Sequence, residues 1–276
     1  MEQPDRWVSV NGVRLAVDDR NPSSDATPLV LVHGFTGGRV DFADVIDTLA
    51  ADRRVVAWDH RGHADSTNTG DAATYTFDQL VDDMAAAVDE IGLEQFHLLG
   101  HSMGGIVAQR YVLAHPERVA SLVLMDTGGQ AMKGIPSEWI DGTVTRGRAE
   151  GMAAVADFMA GFAEDAFTGP ADAKAQVIGR LRHKLSNMDV EAFDALGHAL
   201  GEFPSMLERL GAEVKVPVTV LVGENDIGLI PAAHALHDAI PGSELVVIPD
   251  AAHSPQDENP PAWLDAIHAH LARAEA

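Results

Sequence analysis

Hydrophobic and polar positions fall in blocks along this chain, and the period changes from block to block. Residues 28–32 (PLVLV), 54–58 (RVVAW), 96–100 (FHLLG), 121–125 (SLVLM), 217–222 (PVTVLV) and 244–248 (ELVVI) are short, mostly apolar runs. Runs of this length and composition predict strands buried on both faces, as in a parallel sheet. Between them the period lengthens. Phe42, Val45, Ile46 and Leu49 share one helical face and predict a helix over 41–51. Phe77, Leu80, Val81, Met84, Val88 and Ile91 define another, opened by the capping-box pair Thr76 and Gln79 and stopped by Gly92. A third runs from Ile106 to about Ala114, ahead of His115-Pro116. Helices also follow Pro231 and the run Asn259-Pro260-Pro261, the last with Trp263, Leu264, Ile267 and Leu271 inward. Near the start the period is two: Val8 and Val10, then Asn11-Gly12, then Val13, Leu15 and Val17 predict a hairpin on a type I′ turn.

Strands alternating with helices imply an α/β fold, a mostly parallel sheet with helices on both faces. The alternation stops at Gly128. From there to about Leu210 no strand-like run occurs, and the segment predicts several short helices. The expected division is therefore a core of residues 1–127 and 211–276, with a helical cap insert at 128–210. Trp139, Met152, Val155, Phe158, Met159 and Phe162 form the apolar stripe of that insert. Trp139, Phe158 and Phe162 are its expected pocket-lining members.

Composition narrows the chemistry. The 276 residues include no cysteine, which removes disulfides, thiolate metal sites and cysteine nucleophiles. The formal net charge is −23, which repels nucleic acid and anionic membrane surfaces. No apolar run approaches the roughly 18 residues of a membrane span. The first ten residues carry no secretory-signal pattern, so a cytoplasmic location is expected.

The chemistry gathers where predicted strands end. Gly100-His101-Ser102-Met103-Gly104-Gly105 sits between a strand and a helix, the context in which Gly-x-Ser-x-Gly makes a sharp, strained turn and presents the serine hydroxyl. A serine is a weak nucleophile until a base takes its proton. Imidazole suits that task near neutral pH. Of 13 histidines, His253 alone lies just past the last strand in a loop of small and polar residues. A carboxylate must orient the imidazole. Asp226, three residues past Gly223, is the favoured candidate; Glu224 on the same loop and Asp126 after an earlier strand compete with it. The developing oxyanion needs donors, expected from the backbone N–H groups of Met103, at the start of the helix, and Phe35, in the loop after Val32.

In order, His33-Gly34-Phe35, Asp59-His60-Arg61-Gly62-His63-x-x-Ser66, Gly100–Gly105, Gly223-Glu224-Asn225-Asp226 and His253-Ser254-Pro255 resemble the α/β-hydrolase superfamily over essentially the whole chain. The resemblance implies a Ser102–Asp226–His253 triad, Phe35 and Met103 as oxyanion donors, and a cap near 128–210. It also implies hydrolysis of small to medium, fairly apolar esters or lactones with no cofactor and no metal. The expected partner is a small-molecule ester substrate, with neither nucleic acid nor membrane, and the expected state is a monomer or homodimer. Serine at position 102 argues against epoxide and haloalkane hydrolysis, which place aspartate there. Carbon–carbon hydrolysis of ring-cleavage products, thioester hydrolysis, perhydrolysis and the lyase chemistry of the menaquinone pathway stay open, as does a catalytically silent ligand-binding role.

Overall fold

The amino-terminal alternation folds into a hairpin of β1 (Arg6–Val10) and β2 (Val13–Arg20), in which Val10 faces Val13. Asn11 and Gly12 both have positive φ, 46° and 80°, as a type I′ turn requires. The computed structural model describes residues 3–131, 136–166 and 174–276. After the hairpin come β3 (Leu29–Val32), α1 (Ile46–Leu49), β4 (Val55–Trp58), α2 (Phe77–Ile91), β5 (Phe96–His101), α3 (Met103–Ala114) and β6 (Val119–Met125). Five helices follow without a described strand: α4 (Ser137–Glu150), α5 (Met152–Ala166), α6 (Lys174–Asn187), α7 (Val190–Leu200) and α8 (Leu207–Glu213). The chain closes with β7 (Val218–Gly223), α9 (Ile230–Ala239), β8 (Glu244–Ile248), α10 (Pro255–Glu258) and α11 (Pro260–Ala274).

The strands form one sheet in the order β1-β2-β4-β3-β5-β6-β7-β8. β2 lies antiparallel to both neighbours, and β3 through β8 are mutually parallel. Alternate residues of each strand therefore face opposite sides. Val30, Val32, Leu98, Leu122 and Val220 pack with Leu80, Met84, Ile106 and Leu236 from α2, α3 and α9. Leu29, Leu31, Leu99, Val123 and Leu221 pack with Ile46, Leu49, Trp263 and Ile267 from α1 and α11. Each such fully buried aliphatic side chain contributes about 1.5–3 kcal/mol relative to exposure, which is why the strands carry almost no polar residues. The first core continues into the insert through Ile140, Val155, Phe193 and Leu196.

Two helix starts differ from the sequence expectation. The segment 41–51 is not one helix. It forms a 3₁₀ turn over Arg39–Phe42 and then α1. Polar partners pull the first turn out of line: Asp41 accepts from Gly38 N–H at 3.0 Å and pairs with Lys184, while Arg39 N–H donates to Asp59 at 2.6 Å. The apolar positions Phe42, Val45, Ile46 and Leu49 are nonetheless buried. At α2, Thr76 Oγ1 accepts from Gln79 N–H at 3.1 Å, but the Gln79 side chain turns to Asp83, so the capping box is half made.

Candidate active site

β5 ends in a turn that only certain residues can make. Ser102 has φ 53° and ψ −117°, a strained conformation costing on the order of 1–3 kcal/mol. Neighbouring bonds hold it there. Ser102 N–H donates to Met125 O at 2.9 Å, and Ser102 O accepts from Thr127 Oγ1 at 2.7 Å and Gly105 N–H at 2.9 Å. A Cβ at Gly100 would come 2.7 Å from Gly105 Cα, and one at Gly104 would come 2.5 Å from His33 O. Gly104 thus gives clearance toward the end of β3 rather than toward the far arm of its own turn.

The loop after β8 brings His253 to this turn. His253 Nε2 lies 3.1 Å from Ser102 Oγ, and Nδ1 lies 2.7 Å from Asp226 Oδ2. Asp226 is carried by the turn after β7. A Cβ at Gly223 would come 2.6 Å from Ala251 O, so glycine there lets the β7 and β8 loops close on each other. Burial pushes the Asp226 carboxyl up, but its hydrogen bond to His253 and the charge of that ring outweigh this, and it lies below the ordinary carboxylate range. Neither competing acid is hydrogen-bonded to the imidazole. Glu224 accepts from Asp250 N–H at 3.1 Å. Asp126 is wholly buried beside Asp226, accepting from Gly223 N–H at 2.9 Å.

Three supports were not read from the sequence. His101 Nε2 lies 2.7 Å from His253 O and ties the histidine loop to the elbow strand. Its burial, then the nearby charge of His253, pushes this imidazole down to about 3, so it stays neutral and donates that bond. Glu258 accepts from the N–H groups of Ala252 at 2.5 Å and Ser254 at 3.4 Å, pinning the loop on both sides of His253. Asp126 is the third. Single acidic or imidazole residues carry no sequence signal for such roles. His33 is a structural hydrogen-bonder, as its place before the loop suggests: Nε2 accepts from His60 N–H at 2.9 Å, which leaves Nδ1–H for Gly34 O at 2.8 Å.

Met103 is the first residue of α3, so its N–H has no acceptor within the helix. The loop carrying Phe35 packs directly on the elbow, since a Cβ at Gly34 would meet Ser102 Cβ at 3.0 Å. A cavity of about 760 Å³ opens beside Ser102, Asp226 and His253, walled by Phe35, Leu200, Phe203, Leu229, Pro231 and Ala232. A smaller recess of about 240 Å³ also reaches Ser102 and His253, bordered by Thr36, Ile178, Leu181, Lys184 and Asp257. Burial, then the nearby Asp41, pushes the Asp257 carboxyl up to about 7.

The expected pocket aromatics are not in these walls. Trp139 and Phe158 are 42% exposed and Phe162 64%. Phe158 and Phe162 meet edge to face at 5.0 Å on the outer side of α5, with Arg146 over Phe158. The inner side of α5 is Val155, Ala156 and Ala160. Trp139 lies one layer back, against Phe193, which in turn touches Phe35.

Among the described residues, one cluster of metal-ligand type occurs, Asp126, Asp226 and His253, whose ligating atoms lie within 4.8 Å of one another. The His253–Asp226 hydrogen bond already occupies two of those groups, and no metal is assigned. No described helix is long and apolar enough to cross a membrane.

Known proteins share this architecture. A putative 2-succinyl-6-hydroxy-2,4-cyclohexadiene-1-carboxylate synthase of Bacillus subtilis is 29% identical over 91% of this chain and 92% of its own length. A thermophilic esterase from Thermogutta terrifontis superposes with a TM-score of 0.82 at 28% identity, covering 98% of this chain and all of that one. The enol-lactonase of Burkholderia xenovorans LB400 superposes at 0.81 with 24% identity, over 97% of this chain and all of that one, a likeness of fold. The family profile described as alpha/beta hydrolase fold matches residues 27–260, and with an eight-stranded sheet that carries its polar cluster at the strand ends, this chain belongs to that family.

Proposed function

We propose that the protein is a serine hydrolase of small to medium, fairly apolar carboxylic esters or lactones, acting through an acyl-enzyme on Ser102. The observation that carries this reading is the chain of contacts from Ser102 Oγ through His253 to Asp226 at the edge of an apolar cavity. His253 Nε2 takes the Ser102 proton as Oγ attacks the carbonyl carbon. The oxyanion is received by the N–H groups of Phe35 and Met103, each such donor contributing roughly 3 kcal/mol to the transition state. His253 then gives its proton to the departing alcohol oxygen. Water repeats the sequence on the acyl-enzyme, and Ser102 regains its proton as the acid leaves; a lactone opens to its hydroxy acid by the same steps. The helices of 128–210 serve as a cap, a role supported by Leu200 and Phe203 lining the larger cavity and Ile178 and Leu181 lining the smaller recess.

Turnover of p-nitrophenyl acetate and butyrate tests the proposal. Ser102→Ala should lower kcat on the order of 10⁴-fold or more. Undiminished activity in that variant would defeat the acyl-enzyme. Bleaching of a yellow ring-fission diketone without ester turnover would instead assign carbon–carbon hydrolysis to the same residues.

A further inference from the structure

Asp126 follows β6 directly with φ 44°, a left-handed backbone that Asp and Asn tolerate better than most residues. The side chain is fully buried. Its Oδ1 accepts from Gly223 N–H at 2.9 Å, while Oδ2 is enclosed and receives no hydrogen bond. A carboxylate oxygen of Asp126, one of Asp226 and a ring nitrogen of His253 lie within 4.8 Å of each other. Two carboxyls so near each other, one of them fully buried, resist ionising together. Asp226 holds the imidazole at 2.7 Å and keeps the charge. The proton then belongs to Asp126.

We propose that Asp126 is a positioning residue that remains protonated and donates Oδ2–H to the Asp226 carboxylate, fixing it against His253 Nδ1. The inference rests on the reading of His253 as the base toward Ser102. The donated bond also spreads the Asp226 charge, so that the carboxylate orients the imidazole without binding its protonated form too tightly. Three titratable groups face or neighbour Asp126, namely Asp226 and His253 on the loops after β7 and β8 and Glu258 on α10; His101, at the end of β5, acts on Asp226. Burial pushes the Asp126 carboxyl well above its ordinary range, against the Gly223 N–H and reinforced by the Asp226 charge.

The test is the His253 imidazole titration, followed by NMR in the whole protein, beside the pH profile of kcat/KM, for wild type, Asp126→Asn and Asp126→Ala. Asparagine reproduces both bonds, accepting from Gly223 and donating to Asp226. The midpoint in Asp126→Asn should stay within about 0.3 pH unit of wild type. A fall of about one pH unit or more would mean that a negative charge had been removed and would overturn the proposal. Asp126→Ala, once circular dichroism shows it folded, should raise the midpoint and lower kcat about tenfold with little change in KM, with asparagine restoring most of that loss. An alanine variant matching wild type in both readouts would also overturn it, and if alanine does not fold the asparagine titration decides alone. The titration needs no turnover, so it separates failure of this inference from failure of the hydrolase reading.

Discussion

The strand ends and the helical insert border the same serine, but they are built to different tolerances. At the strand ends each proposed reacting group is held by directional bonds: Ser102 by Met125 and Thr127, His253 by His101 and Asp226. The loop around His253 is pinned from behind by Glu258. The insert meets the cavity through side chains such as Leu200 and Phe203, placed by apolar packing. Directional bonds fix position to tenths of an ångström, whereas apolar packing mainly asks for volume. Under the proposed function, chemistry belongs to the first region and selectivity to the second. It also predicts how unequally the two should respond to change.

The largest expected effect is at the strand ends. Asp226→Asn should lower kcat by roughly 10³–10⁴-fold, because the amide favours the wrong tautomer of His253. Glu224→Gln, on the neighbouring residue, should stay within about twofold. Steady-state kinetics on p-nitrophenyl butyrate decides between them, and reversed outcomes would move the acid to Glu224.

His101 tests the same region through stability. Its ring is held neutral in the folded state down to about pH 3, whereas an unfolded histidine takes up a proton near 6.5. A depressed folded value gives stability that is fully present above 6.5 and lost as pH falls toward 3. The slope from this group is about 1.4 kcal/mol per pH unit within that window. His101→Gln can still donate to His253 O but cannot titrate, so urea melts between pH 4 and 7 should show a shallower acid decline by about that slope. An identical slope in both proteins would show that His101 is charged in the fold.

Smaller effects are expected in the insert. Phe203→Ala enlarges the apolar wall and should change the preference between short and long acyl chains by about 10–100-fold, with the rate on acetate altered only a few-fold. A variant that lost all esters equally would place Phe203 in the machinery rather than the wall. The least effect belongs to Phe158→Ala and Phe162→Ala, on the outer face of α5. Both should keep KM within about twofold and shift stability by about 0.5 kcal/mol or less in thermal melts. A large rise in KM would return these rings to the pocket.

How legible each region was follows from the same contrast. The elbow could be read because close backbone approaches demand glycine: no other residue fits at 100 and 104. His253 could be read because it follows the last strand of a parallel sheet. The sheet's faces followed from strand composition, and the order β4-β3-β5 places the switch point beside the elbow. The acid was ambiguous for a physical reason. β6 and β7 are hydrogen-bonded neighbours, so Asp126 and Asp226 arrive at one place, and sequence does not state which strands pair. The insert misled because α5 carries apolar residues on two sides. Its helical period marks Val155 and Phe158 alike, and only packing against its neighbours decides which side turns inward. The broken helix at 41–51 is a further case, set by Asp59 and Lys184 from distant parts of the chain.

The central claim is that the Ser102 hydroxyl is the nucleophile. Its most direct test is intact-mass measurement after exposure to a fluorophosphonate probe, with the modified peptide sequenced by tandem mass spectrometry. The account predicts one adduct per chain, on Ser102, forming in step with loss of ester turnover and absent from Ser102→Ala. An adduct on another residue, or full turnover by a chain whose Ser102 is blocked, would contradict it.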